Sequence, residues 1–130
     1  MTKSFSLRLG DEDEAVIARG HFARLDLPEA VPTPDGGLAT TVLVGLADGE
    51  LRAYANVCRH KAIPLDARGG TRLGVMTEDG TRLLCDSHGA TYRPSDGRCV
   101  FGPCEGTSLH SFEVERSGDR LALIWRGDGD

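Results

Sequence analysis

The most informative parts of this 130-residue chain are two short stretches, Cys58-Arg59-His60 and Cys85-Asp86-Ser87-His88. Each stretch offers one thiolate and one imidazole, two or three positions apart, and 24 residues separate His60 from Cys85. In a tight loop, both side chains of a stretch can therefore bind the same metal ion or cluster. Together the two loops supply two sulfur and two nitrogen ligands, a set that suits zinc or an iron–sulfur centre.

The order of the ligands helps to distinguish these two kinds of centre. Zinc fingers usually take both cysteines from one loop and both histidines from another, whereas each loop here is mixed. The pattern C-x-H…C-x2-H, with Gly89 directly after the last histidine, resembles the Rieske family of [2Fe–2S] proteins. The resemblance covers roughly residues 58–109 and includes the positions that follow the two loops, namely Leu65, Tyr92, Gly97-Arg98, Gly102-Pro103 and Leu109.

The resemblance implies a cofactor and a set of residues that hold it. In the family one iron of the [2Fe–2S] cluster is bound by two cysteines and the other by two histidines. Carried over to this chain, Cys58 and Cys85 hold the inner iron, and His60 and His88 hold the outer one. Three further residues are expected to line the cofactor site: Gly89, Tyr92, and Pro103 in a loop that covers the cluster from a third side.

The implied fold is all-β: an antiparallel β-sandwich base, residues 1–56 and 107–130, carrying a small inserted cluster-binding subdomain, residues 57–106, in a single Rieske domain. The 17 glycines, six prolines and repeated Asp-Gly pairs agree with short strands joined by tight turns. The pattern predicts hairpins over 38–57, 71–84 and 109–125, with a strand leading into each ligand loop. Apolar and polar residues alternate over 51–57, which predicts a half-buried strand.

The remaining N-terminal segments carry weaker signals. The acidic run 11–14 is predicted to be a solvated turn, and residues 15–27 to be one bent strand or two short ones. Three prolines in residues 27–37 predict a surface loop, because proline breaks regular hydrogen bonding. No candidate for a long helix is present in the sequence.

Charge and hydropathy exclude some classes of function. The net charge of −5 argues against nucleic acid, because phosphate contacts need a basic surface. An acidic surface could steer the protein toward a basic patch on a partner, or could simply keep it soluble. No apolar run approaches the roughly 18 residues of a membrane span, and the N-terminus lacks the apolar core of a signal peptide. We expect a cytoplasmic protein without a membrane anchor.

The resemblance implies electron transfer and no catalytic residues. The expected protein is a soluble one-electron carrier between a reductase and an oxygenase-type acceptor. The quinol-oxidising members have a serine and a tyrosine donating to cluster sulfurs where this chain has Ala90 and Tyr92, and an extra cysteine in each ligand loop that this chain lacks. These departures predict a reduction potential in the lower half of the Rieske range of about −150 to +300 mV. The Tyr92 hydroxyl is expected to point toward the Cys58 sulfur.

Two other functions remain open at this point. One is a small subunit or accessory domain of a larger oxidoreductase, similar to the small subunit of nitrite reductase. The other is a zinc-stapled interaction module. Cys99 and Cys104 are either free thiols, the default in a reducing compartment, or a disulfide across a hairpin. The residues predicted to be structural are His21, His110 and Trp125.

Overall fold

Nine β-strands and one short helix occur within residues 2–127, the part of the chain that this computed structural model describes. The elements in chain order are β1 (Lys3–Arg8), α1 (Asp11–Ala18), β2 (Ala23–Pro32), β3 (Leu38–Ala47), β4 (Glu50–Ala55), β5 (Leu83–Leu84), β6 (Thr91–Tyr92), β7 (Cys99–Phe101), β8 (Ser111–Ser117) and β9 (Arg120–Trp125). The predicted all-β class is confirmed.

Six strands form one antiparallel sheet in the order β1-β9-β8-β4-β3-β2. The predicted hairpins β3–β4 and β8–β9 are both present. In the first of them Asp48 and Gly49 both have positive φ, the geometry of the type I′ turn that matches strand twist. The two edge strands β1 and β2 approach each other, with Lys3 Nζ 2.6 Å from Glu29 Oε2. The sheet is therefore curled toward a barrel.

A second, three-stranded sheet of β5, β6 and β7 lies within residues 57–106. The two-residue β5 ends immediately before Cys85, as predicted. The strand predicted over 71–78 is wrong, because this segment forms only isolated bridges, Thr71↔Gly74 and Met76↔Leu83. The Thr71 hydroxyl donates to the Met76 carbonyl at 2.7 Å and holds this segment as a turn. The division into a base and a cluster-binding subdomain stays a prediction.

Strands β3 and β4 are covered on both faces, which places them between two hydrophobic cores. Val42 and Val44 face the core inside the large sheet, while Leu43 belongs to the second core, beneath the ligand loops. On β4, Ala53 lies in the first core and Tyr54 in the second. The prediction of a half-buried strand over 51–57 is therefore wrong for its second face.

The acidic run 11–14 opens helix α1 rather than forming a turn. The Asp13 carboxylate accepts a hydrogen bond from the Gly10 N–H at 3.0 Å. Four acidic residues in the first turn are favourable at the positive end of the helix dipole. Ile17 is the one buried residue of this helix, so the apolar periodicity was too weak to predict it. The strand predicted to begin at residue 15 is correspondingly wrong.

The prolines of residues 27–37 do not exclude a strand, as the sequence had suggested. Strand β2 contains Pro28 and Pro32, but it is an edge strand and its register shifts between Asp26 and Val31. A missing N–H at such positions breaks no required ladder bond. The turn after Pro32 returns the chain to β3. The single helix of residues 2–127 is too short and too polar to cross a lipid bilayer.

Candidate metal centre

The first predicted ligand loop begins three residues after β4. The Cys58 N–H donates to the Ile63 carbonyl at 2.7 Å, and the Ile63 N–H donates to the Lys61 carbonyl at 2.7 Å. These bonds close a tight loop over residues 58–63. Cys58 at its base is buried, whereas His60 at its tip is exposed.

The second predicted ligand loop follows β5 and has the same character. The Cys85 N–H donates to the Ala90 carbonyl at 2.8 Å, and the Gly89 N–H donates to the Cys85 carbonyl at 2.9 Å. Gly89 has φ +77°, a left-handed conformation that turns the chain back into β6 and that favours glycine. Cys85 is buried and His88 is exposed.

The fold brings the four predicted ligands together as two pairs. Cys58 and Cys85 are both fully buried and belong to the same core in the interior. The His60 and His88 rings lie edge to face, with centroids 4.7 Å apart, at the surface. Within residues 2–127 no three or more His, Cys, Asp or Glu side chains surround one ion position. The arrangement is a sulfur pair below a nitrogen pair.

Backbone N–H groups favour the ionised form of both sulfurs. Those of His60 and Lys61 act to lower the pKa of Cys58, and those of Ser87 and His88 act to lower the pKa of Cys85. Hydrogen bonding from Cys85 lowers the pKa of the Cys58 thiol to about 5, while the same contact and burial raise the pKa of Cys85. This environment favours sulfur in its anionic, metal-binding form at Cys58.

The structure places the Tyr92 hydroxyl beside the buried sulfur pair. Tyr92 Oη lies 3.4 Å from Cys58 Sγ and 3.2 Å from Cys104 Sγ, and it accepts the Arg59 N–H at 3.1 Å. Burial raises the pKa of Tyr92 far above that of an exposed tyrosine, so the phenol stays protonated. It is therefore available as a hydrogen-bond donor.

The predicted third side of the site is a close-packed turn after β7. Gly102 has φ +107°, and a Cβ at this position would lie 2.8 Å from the Ala90 Cα. Only glycine allows the turn to approach the second ligand loop this closely. Pro103 and Phe101 are exposed on either side of it, and 63% of Phe101 is accessible to solvent.

Sequence reasoning missed Asn56, which joins β4 to the first ligand loop. Asn56 is buried and donates to Thr41 Oγ1 at 3.0 Å and to Asp66 Oδ1 at 3.1 Å. Its side-chain oxygen accepts the Leu65 N–H at 2.9 Å. The Leu65 carbonyl in turn accepts the Asp86 N–H of the second loop at 2.8 Å. A polar residue in a strand, two positions before a ligand, was the only available signal.

A second missed group comes from the turn between β2 and β3. Asp35 Oδ2 lies 3.2 Å from Arg59 Nε in the first ligand loop, and Asp35 Oδ1 lies 3.2 Å from Nε2 of the buried His110. His110 also packs against Trp125, with ring centroids 6.3 Å apart. His110 and Trp125 thus occupy structural positions, while His21 lies beside Gly80, apart from the four ligands.

The residues present fit a two-iron centre. The two sulfur ligands are buried and the two imidazole ligands are exposed, so the ligands are separated by type, as required when each iron takes one kind. Such a centre defines the chain as a metal-binding domain with mixed sulfur and nitrogen ligation. The Rieske [2Fe-2S] domain family matches residues 21–115, more than half of the chain, and the chain belongs to this family. The family's cofactor is a [2Fe–2S] cluster.

Solved structures with the same fold include several ferredoxins. One is a chain from a complex of reduced oxygenase and oxidized ferredoxin in carbazole 1,9a-dioxygenase, with 19% identity, TM-score 0.61 and coverage of 96% of this chain and 95% of that one. The ferredoxin of carbazole 1,9a-dioxygenase from Nocardioides aromaticivorans IC177 has 16% identity, TM-score 0.56 and coverage of 91% and 95%. The Sphingomonas yanoikuyae B1 ferredoxin has 20% identity, TM-score 0.56 and coverage of 92% and 97%. No curated protein sequence matches the chain.

Proposed function

We propose that this protein is a cytoplasmic electron carrier that passes one electron at a time from a reductase to an oxygenase-type acceptor. The observation that carries the proposal is the separation of buried cysteines from exposed imidazoles. When bound, a [2Fe–2S] cluster supplies a one-electron couple, with Cys58 and Cys85 on one iron and His60 and His88 on the other. These residues hold and tune the couple and take part in no bond making.

The surface imidazoles define the face through which electrons pass. His60 and His88 are exposed side by side, so a partner docking there approaches the centre more closely than it could from any buried side. Phe101 is a large exposed aromatic on the turn that packs against Ala90 of the second ligand loop. Exposed aromatics of this kind often anchor protein interfaces. The proposed docking face comprises His60, His88 and Phe101.

Charge is distributed unevenly between residues 57–106, which carry this face, and the rest of the protein. Residues 57–106 contain seven Lys and Arg against six Asp and Glu, whereas the remaining residues contain eight against fourteen. The net negative charge therefore belongs to the base. An uneven charge distribution of this kind orients a carrier during encounter, because the acidic base is attracted to basic surfaces and repelled by acidic ones.

The likeness to the carbazole dioxygenase ferredoxins supports an oxygenase as the acceptor. One matching structure is a complex of oxygenase with ferredoxin, which is a carrier–acceptor pair of the proposed kind. The proposal makes the chain a component of a multicomponent oxidoreductase rather than an enzyme by itself.

Electron transfer to a partner tests this assignment. The purified protein is reduced with NADH and a flavin-dependent ferredoxin reductase and mixed in a stopped-flow instrument with an oxidised Rieske oxygenase. We expect reoxidation that saturates with oxygenase concentration and weakens in Phe101→Ala. Leu46→Ala is the matched control, because Leu46 is also exposed but lies at the end of β3 in the base. A colourless protein with one zinc per chain overturns the proposal, and so does a reoxidation rate that does not depend on the oxygenase concentration.

A further inference from the structure

Two cysteines outside the predicted ligand set lie against each other in the turn after β7. Cys99 and Cys104 are 1% and 7% exposed, and their sulfurs are 3.1 Å apart. The backbone holds them in one hairpin: the Cys99 N–H donates to the Thr107 carbonyl at 2.7 Å, and the Thr107 N–H donates to the Cys104 carbonyl at 3.0 Å. Neither sulfur is needed by the proposed electron carrier.

The thiol pair touches the candidate metal centre through one hydroxyl. Cys104 Sγ lies 3.2 Å from Tyr92 Oη, which lies 3.4 Å from Cys58 Sγ. The contacts therefore run from Cys99 through Cys104 and Tyr92 to a predicted iron ligand. An anionic sulfur is a better acceptor than a thiol, so with Cys58 bound to metal the Tyr92 proton is donated to Cys58. The Cys104 S–H donates to the Cys99 sulfur at 3.1 Å, and rotation about its Cβ–Sγ bond lets it donate to the Tyr92 oxygen at 3.2 Å instead.

We propose that Cys99 and Cys104 form a reversible dithiol–disulfide pair, and that the Tyr92 hydroxyl transmits its oxidation state to the Cys58 sulfur. Hydrogen bonds in a chain strengthen one another, so an S–H donated to Tyr92 makes its own O–H a stronger donor. In the disulfide Cys104 has no proton to donate. The hydrogen bond from the Tyr92 hydroxyl to the Cys58 sulfur weakens, and the centre becomes harder to reduce.

The oxidation balances with a disulfide as the oxidant. Oxidised glutathione accepts two electrons from the dithiol: its S–S bond and the Cys99 and Cys104 S–H bonds break, the Cys99–Cys104 S–S bond forms, and both protons leave as the S–H groups of two molecules of reduced glutathione. A surface hollow of about 310 Å³ bordered by Arg98, Cys99 and Glu105 lies on the Cys99 side of the pair, and Cys104 itself is 7% exposed. Burial raises the pKa of Cys99 to about 12, so little of this thiol is ionised at neutral pH and the exchange is slow.

The first arm of the test needs no cluster. The full protein is equilibrated with glutathione buffers from fully reduced to fully oxidised, alkylated, and digested with trypsin. Cleavage after Arg98 and Arg116 releases residues 99–116, a peptide that contains Cys99 and Cys104 but neither Cys58 nor Cys85. We expect this peptide to lose two hydrogen atoms reversibly and to become closed to alkylation in oxidising buffer. Two alkylated thiols at every buffer ratio overturn the proposal, whether or not the protein carries a cluster.

The second arm measures transmission to the centre and rests on the proposed function. At a fixed applied potential, we expect the ratio of reduced to oxidised cluster to fall about twofold in the disulfide form. Cys99→Ser should abolish this response, because it retains the Cys104 thiol but cannot form the disulfide. Tyr92→Phe should form the disulfide normally without the change in ratio. An unchanged or higher ratio in the wild-type disulfide, or an equal fall in Tyr92→Phe, contradicts transmission through Tyr92.

Discussion

Replacing Tyr92 with phenylalanine should make the cluster harder to reduce. The change removes one oxygen from a fully buried ring that lies 3.4 Å from the Cys58 sulfur. The Tyr92 pKa is raised by burial, so the hydroxyl is a neutral donor at every pH used for electrochemistry. A donor stabilises the reduced centre more than the oxidised one, because the reduced centre is more negative. Its removal therefore lowers the potential.

The size of the effect follows from one hydrogen bond. A hydrogen bond to a charged group contributes about 1.5–3 kcal/mol, but it is present in both oxidation states. If the two states differ by about 1 kcal/mol, a one-electron couple shifts by about 40 mV. The variant also leaves the Arg59 N–H without the acceptor it has at 3.1 Å, which should cost about 1 kcal/mol of folding free energy.

Protein-film voltammetry measures the shift, and Tyr54→Phe supplies a matched control. Tyr54 is equally buried and belongs to the same core, but its hydroxyl donates to the Pro94 carbonyl at 2.7 Å rather than to a ligand sulfur. We expect a fall of about 40 mV in Tyr92→Phe and a small change in Tyr54→Phe. Equal potentials in wild type and Tyr92→Phe would show that the tyrosine only packs and does not donate to Cys58.

Three further changes have defined outcomes. Ala90→Ser adds a hydroxyl beside Cys85 and the Gly102 turn and should raise the potential in the same voltammetry. A lower potential would contradict a donating role for the new hydroxyl. Asn56→Ala removes the acceptor of the buried Leu65 N–H and should lower the free energy of unfolding, measured in urea, by about 2–3 kcal/mol. Thr40→Ala is the control, because Thr40 is exposed and its replacement should leave the free energy of unfolding unchanged. Burial raises the pKa of Tyr54 to about 12, so its contribution to folding stability is retained below pH 10 and lost as the pH rises toward 12. In urea unfolding, the free energy of unfolding of Tyr54→Phe should therefore fall less at alkaline pH than that of the wild type.

The features that the sequence predicted well are determined by neighbouring residues. Asp48-Gly49 marks the β3–β4 hairpin, because both residues adopt the positive φ that its tight turn requires. The mixed spacing of Cys58 with His60, and of Cys85 with His88, constrains each pair to one tight loop. Local chemistry was therefore enough to place two loops at strand ends and to indicate the cofactor.

The features that it missed depend on contacts between distant residues. Asn56 is significant only because Thr41 and Leu65 surround it, and no property of its own neighbours in sequence shows this. Asp35 looked like part of a solvent-exposed loop, yet it is an ion-pair partner of Arg59 in the first ligand loop. Pro28 looked incompatible with a strand because its edge position and register shift are properties of the whole sheet.

We expect this chain to hold a [2Fe–2S] cluster with two cysteine and two histidine ligands. Pulsed EPR of the anaerobically purified, dithionite-reduced protein tests it most directly, because nitrogen bound to the reduced iron produces its own hyperfine couplings. The proposed ligand set predicts an EPR signal from the reduced cluster with couplings from two directly bound imidazole nitrogens. A reduced cluster without nitrogen couplings, or an EPR-silent protein containing one zinc ion, would contradict it.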